Sequence, residues 1–332
     1  MSTPETIVVT TSSLAAPAMD ILKARDLRLI FLPISTSPAK LTEMLARENP
    51  VGIISRAIGL DAAAISAAPA LRVISKYGVG YDNVDIHAAR ARNVPVLITR
   101  GANSQSVAEM AIGHMIGLAR NFRILDREVR GGQWIRTIDR GMELSGLTLG
   151  IVGYGAIGRR VARIAEAIGM KVKIHDPFIN DTEVPASISR LPTLEQLLEC
   201  ADVLSLHCPL TEDTRELINA ERLSRLKRGA IVINTARGEV VDDSAMAAAL
   251  SRGDLWGYAA DTFSVEPPNP DNPLLGLDNT VLTPHCGAAT RAAADRVAEA
   301  VARNLILGLD GKGWDSDDVV NRLPQTPSSR AT

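Results

Sequence analysis

The sequence has few cysteines and no grouping of them. Among its 332 residues they are only Cys200, Cys208 and Cys286, which lie apart from one another. An odd number of scattered thiols excludes a disulfide framework, and their spacing matches no metal site, so no metal ion is expected. The absence of disulfides is typical of a reducing compartment, and the sequence therefore predicts a cytoplasmic location.

Long apolar runs and an excess of charge are also missing. No apolar run approaches the roughly 18 residues that a membrane helix needs, and the N-terminus has no basic segment followed by an apolar one. With a formal net charge of −2, the chain has no general attraction to nucleic acid. The length of 332 residues is enough for two domains with sizeable cores, and a hydrophobic content of 46% is typical of a globular protein. We therefore expect neither a membrane nor a nucleic acid as a partner.

The strongest positive feature is the stretch from Leu147 to Asp176, which carries three glycines in the spacing G-x-G-x-x-G. An apolar, strand-like run precedes the glycines, and a helical pattern follows them. Gly153 allows a tight turn, Gly155 lets a pyrophosphate approach the backbone, and Gly158 lets the helix pack against the strand. The free N–H groups at the start of such a helix bind phosphates. The strand, glycines and helix in this register predict a dinucleotide site.

The identity of the dinucleotide depends on Asp176. This acid follows a second apolar run, about 20 residues beyond the glycines, where a carboxylate accepts hydrogen bonds from ribose hydroxyls. A negative charge there repels a 2′-phosphate, and the next residues are Pro177 and Phe178 rather than Arg or Lys. NAD is therefore predicted as the cofactor in preference to NADP.

The rest of the chain alternates short apolar runs with helical segments, which is typical of parallel sheets covered by helices on both faces. We predict an α/β protein with two Rossmann-like or flavodoxin-like domains. A NAD-binding Rossmann domain, residues 103–284, is inserted into a substrate-binding domain formed by residues 1–102 and 285–332. Ligands of such sheets bind beyond the carboxyl ends of the strands, so the expected site is a cleft between the domains. One long helix is predicted for residues 104–130, and its small residues favour close packing, including that of a homodimer.

Three groups of polar residues follow predicted strands in the second half of the chain. Arg237 could hold a carboxylate through two parallel hydrogen bonds. His285 could transfer a proton near neutral pH. Glu266 could hydrogen-bond that histidine and keep it charged while it acts as proton donor. Hydride transfer to a 2-oxo acid requires these three functions, so the three residues form the predicted catalytic set.

With these motifs the sequence resembles the D-isomer-specific 2-hydroxyacid dehydrogenase family over nearly its whole length. The matching segments are GYGAIGRRVA (153–162), HCPLTEDT (207–214), NTARGEVVDD (234–243), AADTFSVEPP (259–268), TPHCGAAT (283–290) and KYGVGYDNVD (76–85). Within the family the sequence is most similar to the D-3-phosphoglycerate dehydrogenase branch, as ANSQSVAEMAIGHMIGLAR (102–120) also indicates. The chain stops where some members of that branch carry regulatory domains, so a short form without such a domain is expected.

The resemblance implies a role for each matching position. Arg237 resembles the arginine that binds the substrate carboxylate, His285 the general acid/base and Glu266 its paired carboxylate. The backbone of Val79 and Gly80 resembles the loop that binds the same substrate carboxylate. The positions that match NAD contacts, with Asp261 at the nicotinamide end, are Gly153, Gly155, Ala156, Ile157, Gly158, Asp176, His207, Cys208, Pro209, Thr214, Thr235, Ala236, Arg237, Asp261, His285, Gly287 and Ala288.

The resemblance leaves several alternatives for the chemical group at the end of the substrate away from its carboxylate. Phosphoglycerate dehydrogenases often carry arginines that bind the phosphate. Here Lys76 stands just before the Val79–Gly80 loop, and Arg56 lies one position from such an arginine, so both are candidate substrate residues. The resemblance is compatible with 3-phosphoglycerate and with hydroxypyruvate-like or glyoxylate-like substrates.

Two other functions stay open as well. Formate or phosphite oxidation occurs in the same fold, although the formate enzymes place an amide where this chain has Glu266. The transcriptional corepressors that share the fold sense NAD(H) and retain the same residues, so these motifs do not exclude a binding protein.

Overall fold

The computed structural model describes residues 4–137, 140–311, 313 and 315–321. These residues form two compact units, one within Met1–Asn103 and Thr290–Thr332 and the other within Ser104–Ala289. The second unit is thus inserted into the first. No helix in the described part of the chain is long and apolar enough to cross a membrane.

The first unit is built on a parallel sheet. Its strands are β1 (Thr6–Val9), β2 (Arg28–Phe31), β3 (Gly52–Ser55), β4 (Val73–Lys76) and β5 (Val96–Leu97). Over the described residues their order is β2-β1-β3-β4-β5, with parallel neighbours throughout. Its helices are α1 (Ala16–Lys23), α2 (Pro38–Glu48), α3 (Ala62–Ser66), α4 (Ile86–Ala91) and, after the second unit, α11 (Arg291–Asp310). The order reverses between β1 and β3, and ligands of such sheets bind beyond the carboxyl ends at this reversal.

The packing of α11 completes the core of the first unit. Val301 and Leu305 are fully buried in the same apolar cluster as Ile7 and Val73 from the sheet. The approach is close, because a Cβ added to Gly52 in β3 would lie 2.8 Å from the Cδ1 atom of Leu305. The helix therefore supplies part of the core that the N-terminal segment lacks.

The second unit is built on a larger parallel sheet. Its strands are β6 (Thr148–Val152), β7 (Lys171–His175), β8 (Ser189–Arg190), β9 (Val203–Leu206), β10 (Ala230–Asn234), β11 (Leu255–Ala260) and β12 (Thr280–Leu282). Its helices are α5 (Ser104–Ala119), α6 (Phe122–Arg130), α7 (Ala156–Ala167), α8 (Leu194–Cys200), α9 (Ala220–Leu223) and α10 (Asp243–Ser251). Short 3₁₀ helices in the chain are Asp181–Glu183, Gly238–Val240, Pro273–Gly276 and Ser316–Asp318. Within the described residues the strand order is β12-β11-β10-β9-β6-β7-β8, a Rossmann order with its reversal between β6 and β9.

The predicted fold class is confirmed, since both sheets are parallel and carry helices. The prediction of one helix over residues 104–130 is wrong. The helix is interrupted at Asn121, which has the left-handed φ of 53° and whose side-chain amide donates to the carbonyl oxygen of Arg140 at 2.6 Å. Asparagine tolerates this conformation better than most residues, and helical periodicity alone does not reveal it.

The division between the units lies a few residues from the predicted boundaries. Asn103 belongs to the first unit, and residues 285–289 belong to the second. Residues 285–289 belong to the second unit because the backbone N–H groups of Cys286 and Gly287 donate to the side chain of Asp261 in that unit.

Candidate active site

The glycine-rich turn joins β6 to α7. Gly153 has a φ of 89°, and a Cβ there would lie 2.8 Å from the backbone nitrogen of Cys208. A Cβ on Gly158 would lie 2.3 Å from the carbonyl oxygen of Gly153, whereas one on Gly155 would meet no described atom within 4 Å. Packing therefore requires glycine at two of the positions. At the third it leaves open space beside the first turn of α7, where Ala156 and Ile157 lie, and this space suits a pyrophosphate.

Asp176 follows β7 and is fixed next to this turn. Its Oδ2 accepts a hydrogen bond from the N–H of Tyr154 at 2.8 Å, and its Oδ1 accepts one from the N–H of Phe178 at 2.9 Å. A carboxylate retains free lone pairs after one bond at each oxygen, so it can still accept from hydroxyl groups. The nearby Arg190 on β8 donates to the backbone carbonyl of Asp176 at 3.3 Å and pairs with Asp181 at 3.0 Å. This arginine follows Asp176 by 14 residues, on the next strand, and was not predicted as its neighbour.

The loop after β9 holds the next predicted cofactor positions. Burial lowers the pKa of His207 to about 4, so its ring is neutral, and its Nε2 lies 2.8 Å from the hydroxyl of Ser205. Burial raises the pKa of the Cys208 thiol to about 11, which makes that thiol unreactive. The hydroxyl of Thr214 donates to the carbonyl oxygen of Pro209 at 2.7 Å and thereby closes the loop.

Buried polar atoms without partners cluster at the carboxyl ends of three strands. The Oγ1 atoms of Thr235 and Thr262 and the Nδ1 atom of His207 are buried and have no hydrogen-bond partner among the described residues. These residues follow β10, β11 and β9 respectively. Unsatisfied buried polar groups are rare in proteins, so three at one sheet edge fit a polar ligand such as the predicted dinucleotide. Thr262 was missed in the sequence, although it stands next to Asp261 in a matching motif.

His285 and Glu266 form a hydrogen-bonded pair. The Nδ1 atom of His285 lies 2.8 Å from Oε2 and 3.0 Å from Oε1 of Glu266. The N–H of Phe263 donates to Oε1 of the same carboxylate at 3.1 Å, which orients it. The pairing occupies Nδ1 and leaves Nε2 as the atom of this half-exposed ring that can exchange a proton with a ligand.

Asp261 holds the backbone that carries His285. Its buried carboxylate accepts hydrogen bonds from the N–H of Cys286 at 2.9 Å and from the N–H of Gly287 at 2.7 Å. The hydroxyl of Thr283 donates to the same carboxylate at 2.6 Å. His285 itself has a φ of 49°, which is unfavourable for a non-glycine residue. The bonds on both sides of His285 therefore maintain a strained residue in one conformation.

Arg237 lies at the end of β10, on a loop that touches the loop after β11. Its NH1 donates to the carbonyl oxygen of Ala236 at 2.8 Å, and its own carbonyl accepts from the side chain of Asn234 at 2.8 Å. A Cβ on the next residue, Gly238, would lie 2.0 Å from the carbonyl carbon of Phe263. This backbone contact places the Arg237 loop against the segment that leads to Glu266.

The predicted substrate residues of the first unit lie at the carboxyl edge of its own sheet. Lys76 is buried, and its Nζ donates to the carbonyl oxygen of Arg56. The guanidinium of Arg56 lies 5.1 Å from the centroid of the Tyr77 ring, and its backbone N–H donates to Thr10 at 2.8 Å. Two cationic residues thus lie at the carboxyl ends of the neighbouring strands β3 and β4.

The predicted loop of Val79 and Gly80 directly follows β4. Reciprocal bonds fix its start, because the N–H of Gly78 donates to the hydroxyl of Thr99 and the N–H of Thr99 donates to the carbonyl of Gly78, both at 3.0 Å. The loop backbone thus lies at the same sheet edge as the two cationic residues.

Comparison with known proteins identifies the family. Residues 112–287, more than half of the chain, match the family of D-isomer specific 2-hydroxyacid dehydrogenases, NAD binding domain. The chain belongs to the D-isomer-specific 2-hydroxyacid dehydrogenase family. Members of this family are NAD-dependent oxidoreductases that act on CH–OH groups, and the predicted family and cofactor are thereby confirmed.

Individual members are similar along most of this chain. It is 43% identical over 252 residues to a glyoxylate reductase of Korarchaeum cryptofilum, covering 74% of this chain and 76% of that protein. It is 38% identical over 278 residues to a D-3-phosphoglycerate dehydrogenase of Archaeoglobus fulgidus, covering 83% of this chain but 53% of that protein. The crystal structure of the TT0316 protein from Thermus thermophilus superposes with a TM-score of 0.85 at 38% identity, covering 95% of this chain and 99% of that one.

Proposed function

We propose that this dehydrogenase interconverts a D-2-hydroxy acid and a 2-oxo acid with NAD(H), and that His285 is its general acid/base. The observation that carries the proposal is the pair between Nδ1 of His285 and Oε2 of Glu266, 2.8 Å apart. A carboxylate at Nδ1 fixes the ring and stabilises its charged form, while Nε2 faces the reacting oxygen.

Each residue then has a distinct task. Arg237 binds the substrate carboxylate and polarises the adjacent carbonyl group, because a guanidinium matches two acceptor oxygens. In the direction of reduction, charged His285 gives the proton at Nε2 to the new hydroxyl. In oxidation, neutral His285 removes that proton, and Glu266 stabilises the resulting charge. When bound, the nicotinamide supplies or accepts the hydride.

The residues that would hold NAD fit it. The open space at Gly155, the fixed carboxylate of Asp176 and the unpartnered atoms of Thr235, Thr262 and His207 provide for a pyrophosphate, a ribose and further polar groups. Asp176 favours NAD, because its charge repels a 2′-phosphate.

A panel of steady-state assays tests this proposal. The purified protein would be assayed with NADH and with NADPH on glyoxylate, hydroxypyruvate, phosphohydroxypyruvate and pyruvate. We expect turnover of at least one 2-oxo acid, with kcat/KM higher for NADH. Tight NADH binding without turnover of any acid would favour an NAD(H)-sensing protein. Activity confined to formate or phosphite would favour a formate or phosphite dehydrogenase.

We infer further that the substrate has a second anionic group. Lys76 and Arg56 lie at the carboxyl ends of the neighbouring strands β4 and β3, and Nζ of the buried Lys76 donates to the backbone carbonyl of Arg56. An anionic tail such as a phosphate would gain charge-assisted hydrogen bonds from these two cationic side chains. The proposal favours phosphohydroxypyruvate or an analogue over glyoxylate.

The substitution Lys76→Met tests the tail. We expect KM for phosphohydroxypyruvate to rise about tenfold or more, because one charge-assisted hydrogen bond contributes about 1.5–3 kcal/mol. The KM for glyoxylate should change less than about twofold, since glyoxylate has no tail. Lys40→Met, on the exposed surface of α2, is the matched control and should leave both constants unchanged. Equal effects of Lys76→Met on both substrates would contradict the role.

We also propose a homodimer that buries the surface around α6. No residue of α6 is buried, although the helix contains Phe122 and Val129 on one face, seven residues apart. Trp134 and Ile135 follow within a few residues and are 77% and 49% exposed. So much exposed apolar surface in one segment is typical of a protein interface.

The three cysteines are unpaired, which supports the cytoplasmic location as a second proposal.

Sedimentation would test the dimer. We expect the native protein to sediment as a dimer at micromolar concentration and the Val129→Glu variant as a monomer, because a charge at a buried apolar interface is strongly unfavourable. Phe178→Glu replaces another side chain that is 90% exposed and should leave the dimer intact. A native monomer, or dissociation of both variants alike, would overturn the proposed surface.

A further inference from the structure

A buried histidine lies behind the loop that carries His285. His114 is in α5 and is only 4% exposed, and its Nε2 lies 3.2 Å from the hydroxyl of Thr283. That hydroxyl lies 2.6 Å from Oδ1 of Asp261. Asp261 in turn accepts hydrogen bonds from the backbone N–H groups of Cys286 and Gly287, at 2.9 and 2.7 Å.

The direction of these hydrogen bonds follows from their proton count. The carboxylate of Asp261 accepts two backbone N–H groups, so the proton between it and Thr283 belongs to the hydroxyl. The hydroxyl has one proton and therefore can only accept from His114. The ring of His114 must then carry its proton on Nε2. Burial lowers the pKa of His114, which is consistent with a neutral ring.

The other ring nitrogen shows that this arrangement is costly. Nδ1 of His114 is buried and has no hydrogen-bond partner within the described residues. An apolar side chain would avoid the cost of burying an unpaired nitrogen. The position is therefore better explained by the bond at Nε2 than by packing alone.

We infer that His114 is a positioning residue for the reaction, acting through Thr283 and Asp261 on the conformation of His285. By donating to the hydroxyl of Thr283, it directs the single proton of that hydroxyl to Asp261. Asp261 is then held against the backbone of Cys286 and Gly287. This inference rests on the proposed role of His285 as acid/base.

The geometry of the loop explains why such support is needed. His285 has a φ of 49°, a conformation that an L-residue adopts at a cost of about 1–3 kcal/mol. Its neighbours on the C-terminal side are fixed by Asp261, and its own N–H donates to the carbonyl of Thr283 at 3.0 Å. A Cβ on Gly287 would lie 2.8 Å from Oδ2 of Asp261, so the carboxylate and the backbone of Gly287 are in close contact. When Asp261 shifts, the direction of the imidazole shifts with it, and a displacement of about 1 Å lowers catalytic rates by as much as about a hundredfold.

Two amide substitutions at the same position separate the hydrogen bond from packing. Gln at position 114 places its side-chain nitrogen near the site of Nε2, whereas Asn places it near the site of Nδ1. We expect His114→Asn to lower kcat about tenfold with little change in KM for NADH, and His114→Gln to remain within about twofold of the native enzyme. Thr283→Val should resemble His114→Asn, and Thr283→Ser should resemble the native enzyme.

The double variant H114N/T283V tests whether the two residues act in series. We expect it to lose no more activity than Thr283→Val alone, because residues that act through one path are not additive. Thr280→Val is the matched control. Thr280 is a buried threonine in β12 whose hydroxyl donates to the carbonyl of Leu277 at 2.8 Å, so its loss should leave kcat unchanged.

The outcomes distinguish this inference from the proposed function. If His285→Ala is inactive while His114→Asn and Thr283→Val keep native kcat, only the positioning role is wrong. Equal losses in His114→Asn and His114→Gln, or additive losses in the double variant, would also overturn it. If His285→Ala keeps activity, the proposed acid/base itself fails. The thermal unfolding midpoint of each variant is measured as well. It shows whether a lower kcat reflects partly unfolded protein.

Discussion

Replacing His285 with Ala is expected to lower kcat for reduction of the preferred 2-oxo acid by about a thousandfold or more, while NADH binding is retained. Proton transfer by a positioned side chain contributes about 10²–10⁴-fold to a rate. Nδ1 of His285 lies 2.8 Å from Oε2 of Glu266, so Nε2 on the other side of the ring remains for proton transfer. Steady-state kinetics and NADH fluorescence titration measure the two effects separately.

His87→Ala is the matched control for this prediction. His87 lies exposed in α4, has no role in the proposed mechanism and should be dispensable for turnover. Retention of more than about a tenth of native activity in His285→Ala would refute the acid/base role. Loss of NADH binding together with turnover would also refute it, since the residue would then serve the cofactor site and not the proton.

Replacing Gly238 with Ala is expected to have the second large effect, on both stability and turnover. The added Cβ would lie 2.0 Å from the carbonyl carbon of Phe263 and 2.1 Å from the backbone nitrogen of Ser264. Neither atom can move without moving its loop. Overpacking of this kind costs about 1–3 kcal/mol, and we expect a loss near the upper end of that range because backbone has to shift. The displaced loops carry Arg237 and lead to Glu266, so we also expect kcat/KM to fall by about tenfold or more.

The control for Gly238→Ala is Gly276→Ala. Gly276 is exposed, and a Cβ there would meet no described atom within 4 Å, so the change in unfolding free energy should stay within about 0.5 kcal/mol. Urea denaturation and assays of both variants measure the difference. Similar stability of the two variants would show that the loops after β10 and β11 are not in the tight contact described above.

Much of the fold could be predicted because its signals are local. The alternation of strands and helices follows from the periodicity of apolar residues, and the glycine turn follows from steric needs that only glycine meets. The interruption at Asn121 could not be predicted in the same way. Asn121 has a left-handed φ, and its side-chain amide donates a hydrogen bond to the backbone carbonyl of Arg140, which lies outside the helix.

The site shows the same division between local and distant signals. His285, Glu266 and Arg237 could be proposed because each follows an apolar strand and has a side chain with a definite chemical task. The contact of His114 with Thr283 was not predicted, since the two residues are separated by most of the second unit. In the sequence His114 is one polar residue in an apolar helix, and only the neighbours that folding brings to it distinguish it from an ordinary core histidine.

The insertion of one unit into the other has a consequence for synthesis on the ribosome. Residues Ser104–Ala289 are contiguous, so the second unit can fold as soon as it has emerged. The first unit cannot, because α11 provides the cover for Ile7, Val9 and Val73 and is translated after the whole insert. Until then one face of the N-terminal sheet stays exposed and apolar. We expect this nascent segment to be a substrate for chaperones, and truncations before Arg291 to aggregate rather than to yield a stable first unit.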